Sequence, residues 1–312
     1  MEKLVLFIIS GPLFLNLWFG EQNKNWVADN FSPTDTIPHK ENTEIVKKCI
    51  DCHGSLVEKQ NKHITKTDKG CEDCHKSNGN EHPKDKTIGF SKQNNLPDLC
   101  FSCHEEKKEL ISSAQFVHQP VKDKKSCTNC HSPHSSDIKK LLITNRKELC
   151  LGCHNKTITG NSKSISNIDK LMKTSKVKHP PFEDCEKVCH NPHASQDYRL
   201  LNIAFPVGNY LKVNVDSFAL CWECHETGLI QKAQTTKATN FRDGDRNLHF
   251  IHVHGEKGRS CIMCHSPHAT NNEHLIREKV GFGNWEFNMN YSSSEKGGSC
   301  SPGCHAEKKY TR

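Results

Sequence analysis

Every cysteine of this 312-residue chain stands in one of nine short motifs that end in Cys-His, and none is left over. In order they are Cys49-Ile-Asp-Cys52-His53, Cys71-Glu-Asp-Cys74-His75, Cys100-Phe-Ser-Cys103-His104, Cys127-Thr-Asn-Cys130-His131 and Cys150-Leu-Gly-Cys153-His154, then Cys185-Glu-Lys-Val-Cys189-His190, Cys221-Trp-Glu-Cys224-His225, Cys261-Ile-Met-Cys264-His265 and Cys300-Ser-Pro-Gly-Cys304-His305. They are numbered here as sites 1 to 9. Sites 6 and 9 carry one residue more than the other seven.

An even cysteine count is compatible with disulfides, zinc sites or covalent haem. A disulfide framework predicts irregular spacing. Zinc needs four ligands per ion, and nothing in its chemistry puts a histidine directly after the second cysteine of each pair. A thioredoxin-like site predicts one Cys-x-x-Cys in a βαβ setting without an obligatory histidine. Covalent haem accounts for the whole pattern. Two thiols add to two vinyl groups on one porphyrin edge, and the adjacent histidine reaches the iron from one face. On a helical turn, residues i and i+3 share a side and i+4 nearly continues it. The expected cofactor is therefore haem c, nine copies, held by the 18 cysteines. The proximal iron ligands are His53, His75, His104, His131, His154, His190, His225, His265 and His305. The long motifs displace the histidine to i+5, which predicts a local bulge or loop.

Site 1 stands alone, and sites 2 to 9 fall into four similar pairs. The clearest unit runs Phe116-Val-His118-Gln-Pro120, the site ending at His131, Ser132-Pro133-His134, Leu141-Leu142, then Leu149 and the site ending at His154. The next repeats it with His179-Pro180, site 6, Asn191-Pro192-His193, Leu200-Leu201 and Leu220 before site 7. The last gives Phe250-Ile-His252, site 8, Ser266-Pro267-His268 and site 9, and the first is looser, with His63, site 2, His82-Pro83 and site 3. The boundaries expected are a signal peptide at 1–20, an N-terminal segment with the solitary site at 21–62, and paired units at 63–104, 105–154, 155–225 and 226–312. On these motifs the chain resembles the doubled Cys-x-x-Cys-His multihaem cytochromes of bacterial extracytoplasmic electron transfer, over roughly residues 63 to 305. That resemblance implies a low-potential, mainly bis-histidine haem chain that carries electrons. The departures are the two long motifs, the missing Ser-Pro-His after His75 and the long spacers of the last two units.

Twelve histidines remain after the nine proximal ones, against four methionines. The supply favours a second imidazole on every iron, which gives a lower potential than thioether ligation. Proline cannot continue the helical turn and extends the residue before it. His134, His193 and His268 therefore leave their own haem and are expected to ligate a neighbouring one. His63, His118, His179 and His252 precede each pair and are expected to serve its second haem. With His39 and His82 these make nine candidate distal ligands. His252 is preferred to His249 and His254 because Phe250-Ile-His252 matches Phe116-Val-His118.

Only 34 % of the chain is hydrophobic, and mean hydropathy is −0.74. That is too little aliphatic material for the large core a chain of this length normally buries. The formal charge of +7 becomes about −2 with nine oxidised haems and about −11 with nine reduced ones, since each carries two propionates. The lysines read as propionate compensation, and nucleic-acid binding is not expected. Lys3 followed by the apolar run 4–19 reads as a secretory signal, too short for a bilayer span of about 20 residues. The chain is expected to be exported, to the periplasm first and otherwise to the cell surface or the extracellular space.

The fold class expected is mostly irregular, with short α-helices and little β, in a multihaem cytochrome c architecture whose core is stacked haems. Segments 161–167 and 235–240 read as polar loops, and 207–215 as a short strand. The function expected is electron carriage between redox partners, a quinol-oxidising donor and a terminal reductase or outer-membrane conduit. Assembly into a membrane-associated complex or a filament is compatible with it. The alternative is an oxidoreductase of the nitrite or hydroxylamine type with one five-coordinate haem. The abundance of histidine argues against it, and no catalytic residue is assigned.

Overall fold

The structure, a computed structural model, describes residues 49–312 apart from 64–68, 80–81, 83–88, 161–163, 184–187, 209 and 213. The signal segment, His39 and Cys185 lie outside the described residues. The longest described helix is Glu105–Ser113, nine residues. Among the described residues, 17 strands of two to four residues form eight small sheets. No described helix is long and apolar enough to cross a membrane.

The described motifs of regular spacing are built on a helical turn, except that at site 2 His75 already opens the strand His75–Ser77. In sites 3, 4, 5, 7 and 8 the histidine N–H donates to the carbonyl of the first cysteine at 2.9–3.0 Å, closing one α-turn. Asparagines start several of the helices. Asn145, Asn167 and Asn247 each accept from the backbone N–H three residues on, satisfying a donor the first turn leaves orphaned. Site 9 differs: Cys300 ends the central strand Gly297–Cys300 of a three-stranded sheet, and its loop bends at Gly303 with φ +77°.

More β-structure is present than the sequence suggested, and three of the eight sheets are clamps between distant segments. Asn61–Lys62 pairs with Ser135–Ser136, Phe116–Val117 with Ala194–Ser195, and Val177–Lys178 with Ala269–Thr270. The first clamp ties the end of the N-terminal segment, directly before His63, to the second unit, and the other two join one paired unit to the next; the downstream strand of each is buried. Two segments depart from the sequence reading. Ser164–Ile165 pairs with Ile158–Thr159, so 161–167 is part hairpin rather than free loop. No strand forms among the described residues of 207–215; Leu211 instead donates its N–H to Gly258, whose close packing against Leu211 and Val253 leaves no room for a Cβ.

The apolar clusters are small. One gathers Met172, Phe182 and Ala269, another Phe218, Ile230 and Val253. Neither could organise a chain of this length alone.

Candidate haem-iron sites

In three units the stretch after the proximal histidine folds identically. A residue nine positions on adopts a left-handed conformation, as does the leucine after it: Lys140-Leu141, Arg199-Leu200 and His274-Leu275, with φ between +55° and +65°. Non-glycine residues rarely adopt this region. Here it turns a carbonyl back onto the site: the Nδ1 of His131, His190 and His265 donates to the carbonyls of Lys140, Arg199 and His274 at 2.8, 2.9 and 2.9 Å. A buried hydroxyl pins the next turn, with Ser136, Ser195 and Thr270 donating to the carbonyls of Leu142, Leu201 and Ile276.

The clamps set the other histidines. Beside each one, two histidine backbones meet: the N–H of His63 donates to the carbonyl of His134, His118 to His193 and His179 to His268, at 2.7–2.9 Å. Their rings then diverge toward different sites. His134 faces His75 with ring centres 6.1 Å apart, while His63 faces His104 at 6.2 Å. His193 faces His131 at 6.1 Å and His118 faces His154 at 6.3 Å. His268 faces His190 at 6.3 Å and His179 faces His225 at 6.1 Å. At the N-terminal end His82 faces His53 at 5.9 Å. At the C-terminal end the helix Leu248–Val253 supplies two rings, His249 to His265 at 6.3 Å and His252 to His305 at 6.4 Å.

All nine site histidines thus face a second histidine. Rings in van der Waals contact face to face would sit near 3.5–4 Å, so these are held apart. An imidazole nitrogen binds a first-row metal at about 2.0 Å, and its ring centre lies about 1.1 Å beyond. Two imidazoles on opposite sides of one ion therefore have centres about 6.2 Å apart. The nitrogens agree. His118 and His252 donate Nδ1 to the carbonyls of Pro192 and Leu248 at 2.9 and 2.7 Å. With Nδ1 engaged, Nε2 carries the free lone pair. Burial pushes His249 and His268 down to about 4, with further lowering from the facing histidine, so both rings are neutral at pH 7.

Of the nine histidines that sequence reasoning placed opposite the sites, eight occupy such positions. His39 lies outside the described residues. His249 was passed over and stands opposite His265. Its signal in the sequence is the spacing His249-x-x-His252, two rings on one helix face. His254 stacks on Phe250 at 4.2 Å and its Nε2 bonds the Ile230 carbonyl at 2.7 Å, which turns it away from the sites.

The residues fit a c-type haem: thiols and an imidazole on one turn, a second imidazole opposite. The buried Nδ1 of His154 has no hydrogen-bond partner among the described residues, an opening for a polar group brought by the cofactor. Near His190 a cavity of about 430 Å³ combines Arg199, Arg277 and Lys279 with Leu201, Phe205 and Met263, a surface suited to a flat apolar ring bearing carboxylates. Among the described residues no group of three or more His, Cys, Asp or Glu side chains is placed to hold one metal ion. The described cysteines are all free thiols.

Successive sites adjoin. The thiols of Cys49 and Cys71, Cys100 and Cys127, and Cys221 and Cys261 lie side by side. Cys74 lies near Cys103, Cys130 near Cys153, and Cys264 near Cys300 and Cys304. His154 lies near His190, and His179 near His268.

A family model for the doubled CXXCH motif matches residues 63–109, 118–159 and 179–228. The three matches contain sites 2 and 3, sites 4 and 5, and sites 6 and 7. No curated protein matches the chain.

Proposed function

Because the chain is a multihaem c-type cytochrome with paired CXXCH motifs, we propose that it carries electrons through nine bis-histidine haems outside the cytoplasm. The observation that carries this reading is the set of nine facing histidine pairs, one per site and all at a separation suited to a single iron. The succession of adjoining sites supports transfer along the chain, site 1 to site 9. Bound haem supplies the one-electron couple. The chain's own residues would hold it by thioether and imidazole; burial keeps His249 and His268 neutral, and the carbonyls at Nδ1 of His118, His131, His190, His252 and His265 would raise the basicity of those rings. The expected partners are a quinol-oxidising donor and a terminal reductase or outer-membrane conduit, met in the periplasm or at the cell surface.

Intact mass of the holoprotein is expected to show nine covalent haems, and EPR of the oxidised protein only low-spin signals. A mass corresponding to seven haems would remove sites 6 and 9. A stoichiometric high-spin ferric signal in the wild type, with CO binding after reduction, would favour an oxidoreductase with an open iron. Cell fractionation tests the compartment.

A further inference from the structure

We propose that the distal ligands obey a hand-over rule: the first haem of each of the first three paired units takes its second histidine from the next unit, and at site 8 of the fourth unit His249 fills that place from within. The inference rests on the haem reading above and assigns the histidine that completes each iron. His75 of the first unit faces His134 of the second, His131 of the second faces His193 of the third, and His190 of the third faces His268 of the fourth. The solitary site obeys the same rule, since His53 faces His82 of the unit that follows. The second haem of every unit is served from within, by His63, His118, His179 and His252.

At the corresponding place in the fourth unit no clamp occurs among the described residues. One helix does the work of two strands. Asn247 is fully buried; it caps the helix by accepting from Phe250 and donates to the carbonyls of Leu229 and Lys232. That fixes the helix so that His249 and His252, three residues apart, address sites 8 and 9. The buried Thr239 hydroxyl lies 2.9 Å from the Nδ1 of His249, leaving Nε2 for the iron. Nine irons are then complete without His39, His254 or His274. His254 is committed to Phe250 and Ile230, and His274 contributes a carbonyl rather than a ring to site 8.

The test uses the full-length haem-loaded protein. His249→Ala is expected to keep nine haems by mass, to convert one of nine to high spin in EPR, and to bind one CO on reduction. His39→Ala and His254→Ala are expected to leave all nine low-spin. His249→Met is the second variant, should alanine unsettle the helix: one low-spin haem of raised potential is expected, since thioether ligation raises it. The double variant His249→Ala with His265→Ala should perturb one haem, and His249→Ala with His190→Ala should perturb two. High spin in His39→Ala or His254→Ala but not in His249→Ala overturns the rule while the haem reading stands. Fewer than nine haems in the wild type overturns the reading itself.

Discussion

A histidine that faces another across about 6 Å is defined by two contacts, the partner ring and the group at its Nδ1. His134→Ala separates the first from simple proximity in sequence. It is expected to open the iron served by His75, not that of His131 three residues away, giving one high-spin haem with nine haems retained by mass. An unchanged low-spin count would remove His134 from the ligand set. Ring orientation gives a second prediction. Eight pairs have planes within 30° of parallel, whereas His252 and His305 are twisted by 47°. Parallel rings split the two iron d-orbitals that point between them, and twisted rings bring those orbitals together. EPR of the oxidised protein should therefore contain one low-spin component in nine with a larger maximal g value, lost in His252→Ala. The Xaa-Pro-His histidines were legible because proline forbids their return to their own haem. His249 was not, because matching Phe-x-His between units selects one histidine, and the second follows only from the helix that carries both.

Among the elements, the left-handed dipeptides and the site 9 loop invite the most direct tests. A left-handed non-glycine residue costs about 1–2 kcal/mol, and a β-branched one is more strained still. Lys140→Ile is expected to lower stability by about 1–3 kcal/mol, whereas Lys140→Gly should be nearly neutral. If the isoleucine variant also displaces the carbonyl from His131, that ligand becomes less basic and the potential of one haem rises, about 59 mV for each tenfold change in its redox equilibrium. Potentiometry under an optically transparent electrode reads the shift. Gly303 absorbs the extra residue of site 9, and a Cβ there would lie 2.6 Å from Cδ1 of Phe287. Gly303→Ala should destabilise the protein by about 1–3 kcal/mol in thermal unfolding and lower the fraction carrying the ninth haem by mass. The long motif announced a loop in the sequence. The clamps did not, because a two-residue strand is too short to show period-2 alternation and its partner lies 73 to 93 residues away.

For the whole molecule, the sparse apolar clusters and the facing histidines point the same way. The interior is completed by groups the chain carries covalently, so binding and folding share one free energy, as in metal-coupled folding. Chain made without haem attachment is expected to lose its tertiary structure, with collapsed near-UV dichroism and rapid proteolysis between units. A haem-free chain that resists protease like the holoprotein would contradict this. Composition foretold that something other than aliphatic residues fills the interior. It did not foretell the order of the sites, which depends on cysteines of successive motifs meeting in space. The hand-over between units also bears on ancestry. Each interior unit receives and gives a histidine in the same register, so a unit can be duplicated or excised and its neighbours still find partners. Descendants of such a chain can grow or shrink two haems at a time, while a unit whose helix carries both histidines needs no neighbour to complete it.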